Sequence, residues 1–398
     1  MSGTREVSGI PKGMPYRRRY GRHKAQAFAL AIAAVVSAWS VRSDAHKQVT
    51  SPFTFSEDVL PIVKSQCAAC HSPGGVGPMS LLTHADAVPW AESIRVELMA
   101  GHMPPWGIES ATTRFRNLQP FSAREMNVLL TWSSGGTPPG KPDAGQRGGA
   151  DLTGAPSLTQ WPLGEPELTV PLRQATIAAD VQTTDEEFRI PLPARPLRAV
   201  DLLPGTAAIV RRATISVRAM ADARAAGVTP ERVVALWVPG DHPVPLDAGV
   251  GFQVPAGAEL VVRIHYQKTW QYERRAVTDQ SRVGLYFAEP GAAEVQVLRA
   301  FTPDGSPTFM TTVNESVRAL GLYADPNLSG SDVTVIAERP DGSREELIAF
   351  RPRTEWSRRY WFREPILLPR GTRIRVNAAP EGTLPTSLSL AINVLAGQ

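Results

Sequence analysis

Cysteine is the scarcest reactive residue in this 398-residue chain: there are two, Cys67 and Cys70, and none later. Two thiols three positions apart cannot staple distant segments, so the chain is no disulfide framework and everything beyond residue 70 must hold by packing. Histidine ends at His265 and methionine at Met310. The last part of the chain therefore offers no imidazole, thiol or thioether to a metal. No apolar run reaches the roughly 20 residues of a comfortable bilayer-spanning helix. Long helix is also scarce by composition, because 36 prolines and 32 glycines imply many turns.

The longest apolar run, Ala25 to Trp39, follows Arg17, Arg18, Arg19, Arg22 and Lys24 and precedes a small-residue site at Ser43-Asp44-Ala45. Residues 1–45 thus read as an export signal, with Met14 an alternative start. Export places the protein in a periplasm of Gram-negative type. An uncleaved segment would instead tether it to the membrane. The leader holds eight of the 42 basic and two of the 38 acidic residues, leaving 34 against 36. The mature chain is near −2, which excludes nucleic acid as an expected partner.

What the chain does contain is Cys67-Ala68-Ala69-Cys70-His71. Two thiols separated by two residues, with histidine next, is the attachment pattern of c-type haem. Each thiol can add to one vinyl group, and the intervening turn brings the imidazole beneath the iron. Other uses of such a pair are a zinc knuckle, which needs two more ligands nearby, a thioredoxin-type redox pair, which needs a strand-helix setting, and a structural disulfide. Covalent haem c, one per chain, is the expected cofactor, with Cys67, Cys70 and His71 holding it. Maturation of such proteins outside the cytoplasmic membrane agrees with the leader.

Residues 53–137 read as a small all-α domain. Glu57 and Asp58 make an acidic first turn, and Pro61 starts or kinks the first helix. Thr83 and Asp86 open a second helix with Trp90, Ile94 and Leu98 at helical spacing. Ser122 and Glu125 form a capping box before a third, which Gly135-Gly136 ends. Helix, haem turn, helix, methionine loop and closing helix is the layout of a class I cytochrome c. Histidine-bound iron needs a second axial group to act as a carrier. Met103, in Gly101-His102-Met103-Pro104-Pro105-Trp106, is the expected distal ligand, with Met79 in reserve. His102 offers bis-histidine ligation as an alternative, although neighbours in an extended loop usually point apart, so it should point away from Met103. Met99 and Met126 should be core, and Trp90, Trp106 and Trp132 should line the haem pocket.

Residues 138–160 are a Gly/Pro-rich linker. Beyond it the period becomes two, as in Leu260, Val262, Ile264 and Tyr266 alternating with Val261, Arg263, His265 and Gln267. Similar strands are predicted near Ile209–Arg218, Arg232–Val238, Arg282–Phe287, Glu294–Leu298, Val317–Tyr323, Val333–Ala337, Glu346–Phe350, Arg373–Val376 and Leu388–Val394. Turns such as Pro340-Asp341-Gly342 separate them. Two antiparallel sandwiches follow, over 161–290 and 291–398.

The stretches DVLPIVKSQCAACH, GPMSLLTHADAVPWA, HMPPW, FSAREMNVLLTWSSGGTPPG and WPLGEPELTV, with VPAGAELVVRIHYQK and REPILLPRGTRIRV further on, resemble a particular two-part arrangement. It is a cytochrome c module fused ahead of type II, ascorbate-dependent copper monooxygenase-like domains of the peptidylglycine and dopamine hydroxylase type. The resemblance implies a multidomain fold: an α cytochrome followed by a double jelly roll in which each sandwich presents one copper. It also shows what is missing. An adjacent histidine pair is expected where Val210-Arg211-Arg212-Ala213 stands. Only His265-Tyr266 matches the third ligand, and Ala324-Asp325-Pro326-Asn327-Leu328 replaces the His-x-His of the second site. Copper is therefore not expected, and an electron-transfer protein meeting a redox partner protein is favoured over a monooxygenase. Two alternatives stay open: a haem-coupled copper monooxygenase completed by other ligands, and a haem sensor with open coordination. His265 is expected on a polar strand face, His242 in a solvated loop, and Arg211 and Arg212 on a solvated face.

Overall fold

The computed structural model describes residues 50–105, 114–118, 120–141, 159–219, 231–380 and 387–397. The predicted signal (1–45), Trp106 and residues 142–158 of the linker lie outside this set. The described chain is mostly β-sheet with few helices, and none of those helices is long and apolar enough to cross a membrane.

The helical module begins with three contiguous segments, Phe55–Val59, Leu60–Ile62 and Val63–Cys67, together α1. Pro61 neither starts nor breaks it. The coil widens to i→i+5 pairing on both sides, with Leu60 N–H donating to Phe55 O and Ala68 N–H to Val63 O, so the missing proline donor is accommodated. A turn at His84–Ala87, capped by Thr83 Oγ1, leads through Val88–Trp90 into α2, Ala91–Met99. Helix α3, Ala123–Ser134, starts with the reciprocal Ser122/Glu125 box. The three share a core around Phe55, Val63, Leu98, Leu129 and Trp132. Residues after α3 do not leave at once as a linker. Pro138 O and Pro139 O accept from Phe55 and Ser56 N–H, and Trp132 Nε1 donates to Pro138 O at 3.2 Å.

The β region is two sandwiches with nested strand pairing. The first contains β1 (Leu168–Pro171), β2 (Ala175–Ile177), β3 (Thr183–Pro191), β4 (Leu197–Leu203), β5 (Val210–Arg218), β6 (Glu231–Trp237), β7 (Val250–Gly251), β8 (Glu259–Gln267), β9 (Val277–Asp279) and β10 (Arg282–Phe287). Strand β1 pairs with β10, β2 with β9, β3 with β8 and β5 with β6, while a bridge from Leu197 to Phe252 joins the β4 and β7 regions. Strand β11 (Ala293–Glu294) pairs with β7. The second sandwich uses β12 (Gln296–Thr302), β13 (Thr308–Thr312), β14 (Val317–Ala324), β15 (Ser331–Glu338), β16 (Arg344–Phe350), β17 (Tyr360–Leu368), β18 (Arg373–Pro380) and β19 (Leu388–Ala396). Its sheets run β12-β19-β14-β17 and β13-β18-β15-β16. This order is a long hairpin rolled into two facing sheets, first strand against last and inward from there: a jelly roll. Separate apolar cores fill the sandwiches, although Trp361 and Leu395 of the second reach into the first.

Residues 114–118, between α2 and α3, are built into the second sandwich. Phe115 is fully buried in its core, forms a bridge with Phe362, and stacks on that ring with centroids 5.4 Å apart. Arg116 N–H donates to Trp361 O at 2.8 Å. The helical module is therefore clamped to the β region by its own loop.

Candidate functional site

The site begins where α1 ends. Cys67 closes the helix, Ala68 is its cap, and the N–H groups of Cys70 and His71 both return to Cys67 O, so motif residues 67–71 form one tight turn. The glycines that follow allow close approach. A Cβ at Gly75 would meet Cys70 O at 2.4 Å, and one at Gly77 would meet His71 Nδ1 at 2.6 Å. Loop 74–79 thus lies against the His71 ring.

Burial pushes the thiols of Cys67 and Cys70 each up to about 12. Neither is a thiolate at neutral pH, and the pair sits at the carboxyl end of a helix. Both facts oppose a thioredoxin-type nucleophile, which needs a lowered pKa and a helix amino terminus. Burial also pulls the His71 imidazolium below its ordinary range, so the ring is neutral at pH 7. Its Nδ1 lies 3.2 Å from Met79 O. A carbonyl only accepts, so Nδ1 carries the proton and Nε2 keeps its lone pair for a metal.

Cys67, Cys70, His71, Met79 and Met103 line one cavity of about 800 Å³, within the range of about 300–1,000 Å³ usual for cofactor sites. Val59, Val63, Leu98, Leu129 and Trp132 make it largely apolar. Gln66 Nε2, buried without a hydrogen-bond partner among the described residues, lines it too. Two thiols, a neutral imidazole with a fixed tautomer, a thioether and an orphaned donor around an apolar space of this size fit a covalently held haem.

Met103 arrives on a defined path. Helix α2 ends in a two-bond cap, His102 N–H to Glu97 O at 2.9 Å and Gly101 N–H to Leu98 O at 3.1 Å, with Gly101 at φ +65°. The chain therefore turns sharply two residues before Met103, whose side chain is 39% exposed. His102 instead meets Glu97 Oε2 at 3.0 Å and does not line the cavity. Met126 packs against the helical core. Met99 is not core: it is 65% exposed, with Arg95 Nη1 3.2 Å from its sulfur. Trp132 lines the cavity but Trp90 does not, because the 3₁₀ turn at Val88–Trp90 leaves its ring at the surface.

The β region contributes a wall that the sequence pattern conceals. Arg211, Gly240, His242, Pro243, Val244, Pro245, Trp356 and Arg358 complete the cavity. Cys70 Sγ lies 3.7 Å from Pro239 O. His242 is exposed, at the rim. Arg211 is not on a solvated face. Val210 is opposite Tyr266 and Arg212 opposite His265, so Arg211 is the extra residue of a bulge in β5. Beside the cavity, Arg358 pairs with Asp241, and Asn117 donates to Asp241 Oδ1 at 3.3 Å and Arg359 O at 2.7 Å. This buried junction joins loop 114–118 to both sandwiches. Burial raises the Asp241 carboxyl, while Arg358 and Asn117 oppose that rise.

His265 is tied by Nδ1 to Asp185 Oδ1 at 2.9 Å, its cross-strand neighbour. Residues 324–328 form the end of β14 and a 3₁₀ turn around Leu328. No cluster of three or more His, Cys, Asp or Glu suited to a metal occurs among the described residues.

No family model and no curated protein matches the chain. Solved structures with partial likeness include the major capsid protein P2 of bacteriophage PM2, at 9% identity and TM-score 0.29 over 57% of this chain and 97% of that one. Another is the PBSX exported protein XepA, at 9% identity and TM-score 0.18 over 63% and 93%. Similarity of this degree assigns neither activity nor partner, and the architecture rests on strand order alone.

Proposed function

We propose that this chain is an exported mono-haem c-type cytochrome that transfers single electrons. In this reading its helical module is a class I cytochrome c, and its double jelly roll is a copper-free, monooxygenase-like module for docking or ligand binding. One observation carries the proposal: Cys67, Cys70, His71 and Met103, chosen for their chemistry, line a single apolar cavity in which His71 already has its Nδ1 proton engaged. Cys67 and Cys70 would hold haem through thioethers, His71 Nε2 would be the proximal ligand and Met103 the distal one. When bound, haem supplies a one-electron iron couple, and a His/Met pair suits a carrier. The bond between His71 Nδ1 and the Met79 carbonyl supports Met103, rather than Met79, as the distal ligand in this reading.

Copper chemistry finds little support in the residues present. Guanidinium groups stand at Arg211 and Arg212, which cannot ligate a cation, and His265 is committed to Asp185. The test is quantification of haem, iron and copper on periplasmic material. One iron per chain without stoichiometric copper is expected; two coppers per chain would overturn the reading.

A further inference from the structure

The loop that carries the Met79 carbonyl is held by the first sandwich. Arg211, turned out of β5 by its bulge, donates through Nη1 to Val76 O at 2.7 Å and through Nε to Gln267 O at 3.3 Å. One planar guanidinium therefore ties the end of β8 to the haem loop. Two residues further along that loop, Trp270 Nε1 donates to Pro78 O at 3.1 Å, with Gln271 Nε2 at 3.5 Å from the same oxygen. Val76 itself is 2% exposed. The next carbonyl after Pro78 is that of Met79, the acceptor for His71 Nδ1.

We infer that Arg211 and Trp270 are positioning residues for the proximal ligand, acting through residues 76–79. This inference rests on the haem reading above. A hydrogen bond from the distal ring nitrogen of a ligating histidine raises its basicity and fixes its orientation. A more basic imidazole favours the oxidised iron and lowers the potential. By pinning Val76 and Pro78, the sandwich keeps the Met79 carbonyl on Nδ1. The β module thus sets the reduction potential of the haem without touching the iron. Anything docking where β5 begins and β8 ends, or on the Trp270 turn, would register at the haem.

The test uses the full-length, haem-loaded protein and two variants. Trp270→Phe removes one donor from a side chain that is 63% exposed, so folding is spared. Arg211→Lys keeps the charge but cannot span both carbonyls. Midpoint potentials come from spectroelectrochemical titration. A rise in potential in at least one variant, with haem fully attached, is the expected result. Potentials unchanged or lowered in both variants overturn the inference. Absence of covalent haem from the wild type is a separate outcome, and it sinks the cytochrome reading instead.

Discussion

Replacing Phe115 with alanine tests whether the helical module and the second sandwich are one cooperative body. The ring is fully buried, stacks on Phe362 at 5.4 Å and meets Tyr360 edge-on at 5.8 Å. Truncating a buried phenylalanine costs about 3–5 kcal/mol through lost transfer energy and the cavity left behind. The aromatic pairs add about 0.5–1.5 kcal/mol, though an edge position allows partial collapse. Spread over a cooperative body of about 350 residues, a net loss of about 4 kcal/mol corresponds to a midpoint about 5 °C lower. Thermal unfolding should be followed at two wavelengths, one reporting the proposed haem and one the β-sheet. In the wild type the two transitions should coincide. In Phe115→Ala both should fall, or separate with the sheet transition first. A variant melting within about 2 °C of wild type would show that the Phe115 ring is not buried in the second sandwich.

Further outcomes follow from the same geometry. Asp201 on β4 is 2% exposed, and burial pushes its carboxyl up to about 7, opposed by a bond from Leu202 N–H at 2.8 Å. Its folded value exceeds the unfolded one, about 3.9, so the folded state binds more protons in between. Stability should therefore fall as pH rises from about 4 to about 7, by about 4 kcal/mol for this group. Melts of Asp201→Asn should show a flatter profile over that window, and an equally steep one contradicts the assignment. With Met103 as distal ligand, Met103→Ala should abolish the methionine-to-iron charge-transfer band and admit added cyanide to the iron. Persistence of the band would point to Met79 and against the loop geometry of Gly101.

The helical module was largely legible because its signals are local. The Ser122/Glu125 box, the Thr83 cap and the cysteine turn each occupy a few adjacent residues whose side chains satisfy nearby backbone groups. The alternating strands were equally readable. Strand β4 was not, because Leu197–Leu203 is a buried run interrupted by Asp201, and a charge in such a run masks the period. Strand β3 carries mostly acidic and polar residues, and β17 contains Pro365, which demotes it to an edge. The contribution of the β region to the cavity was hidden for a different reason. A bulge shifts Arg211 out of the alternating register, and no sequence pattern signals one unpaired residue between Val210 and Arg212. The insertion of Phe115 joins residues 247 positions apart, a pairing that local periodicity does not encode.

The most direct test of the central claim is the intact mass of the denatured mature chain, measured beside a Cys67→Ala/Cys70→Ala double variant. The wild type should carry the added mass of one haem that survives acid-organic extraction, and the double variant should carry none. An unmodified wild-type mass, or haem retained without either thiol, would contradict it.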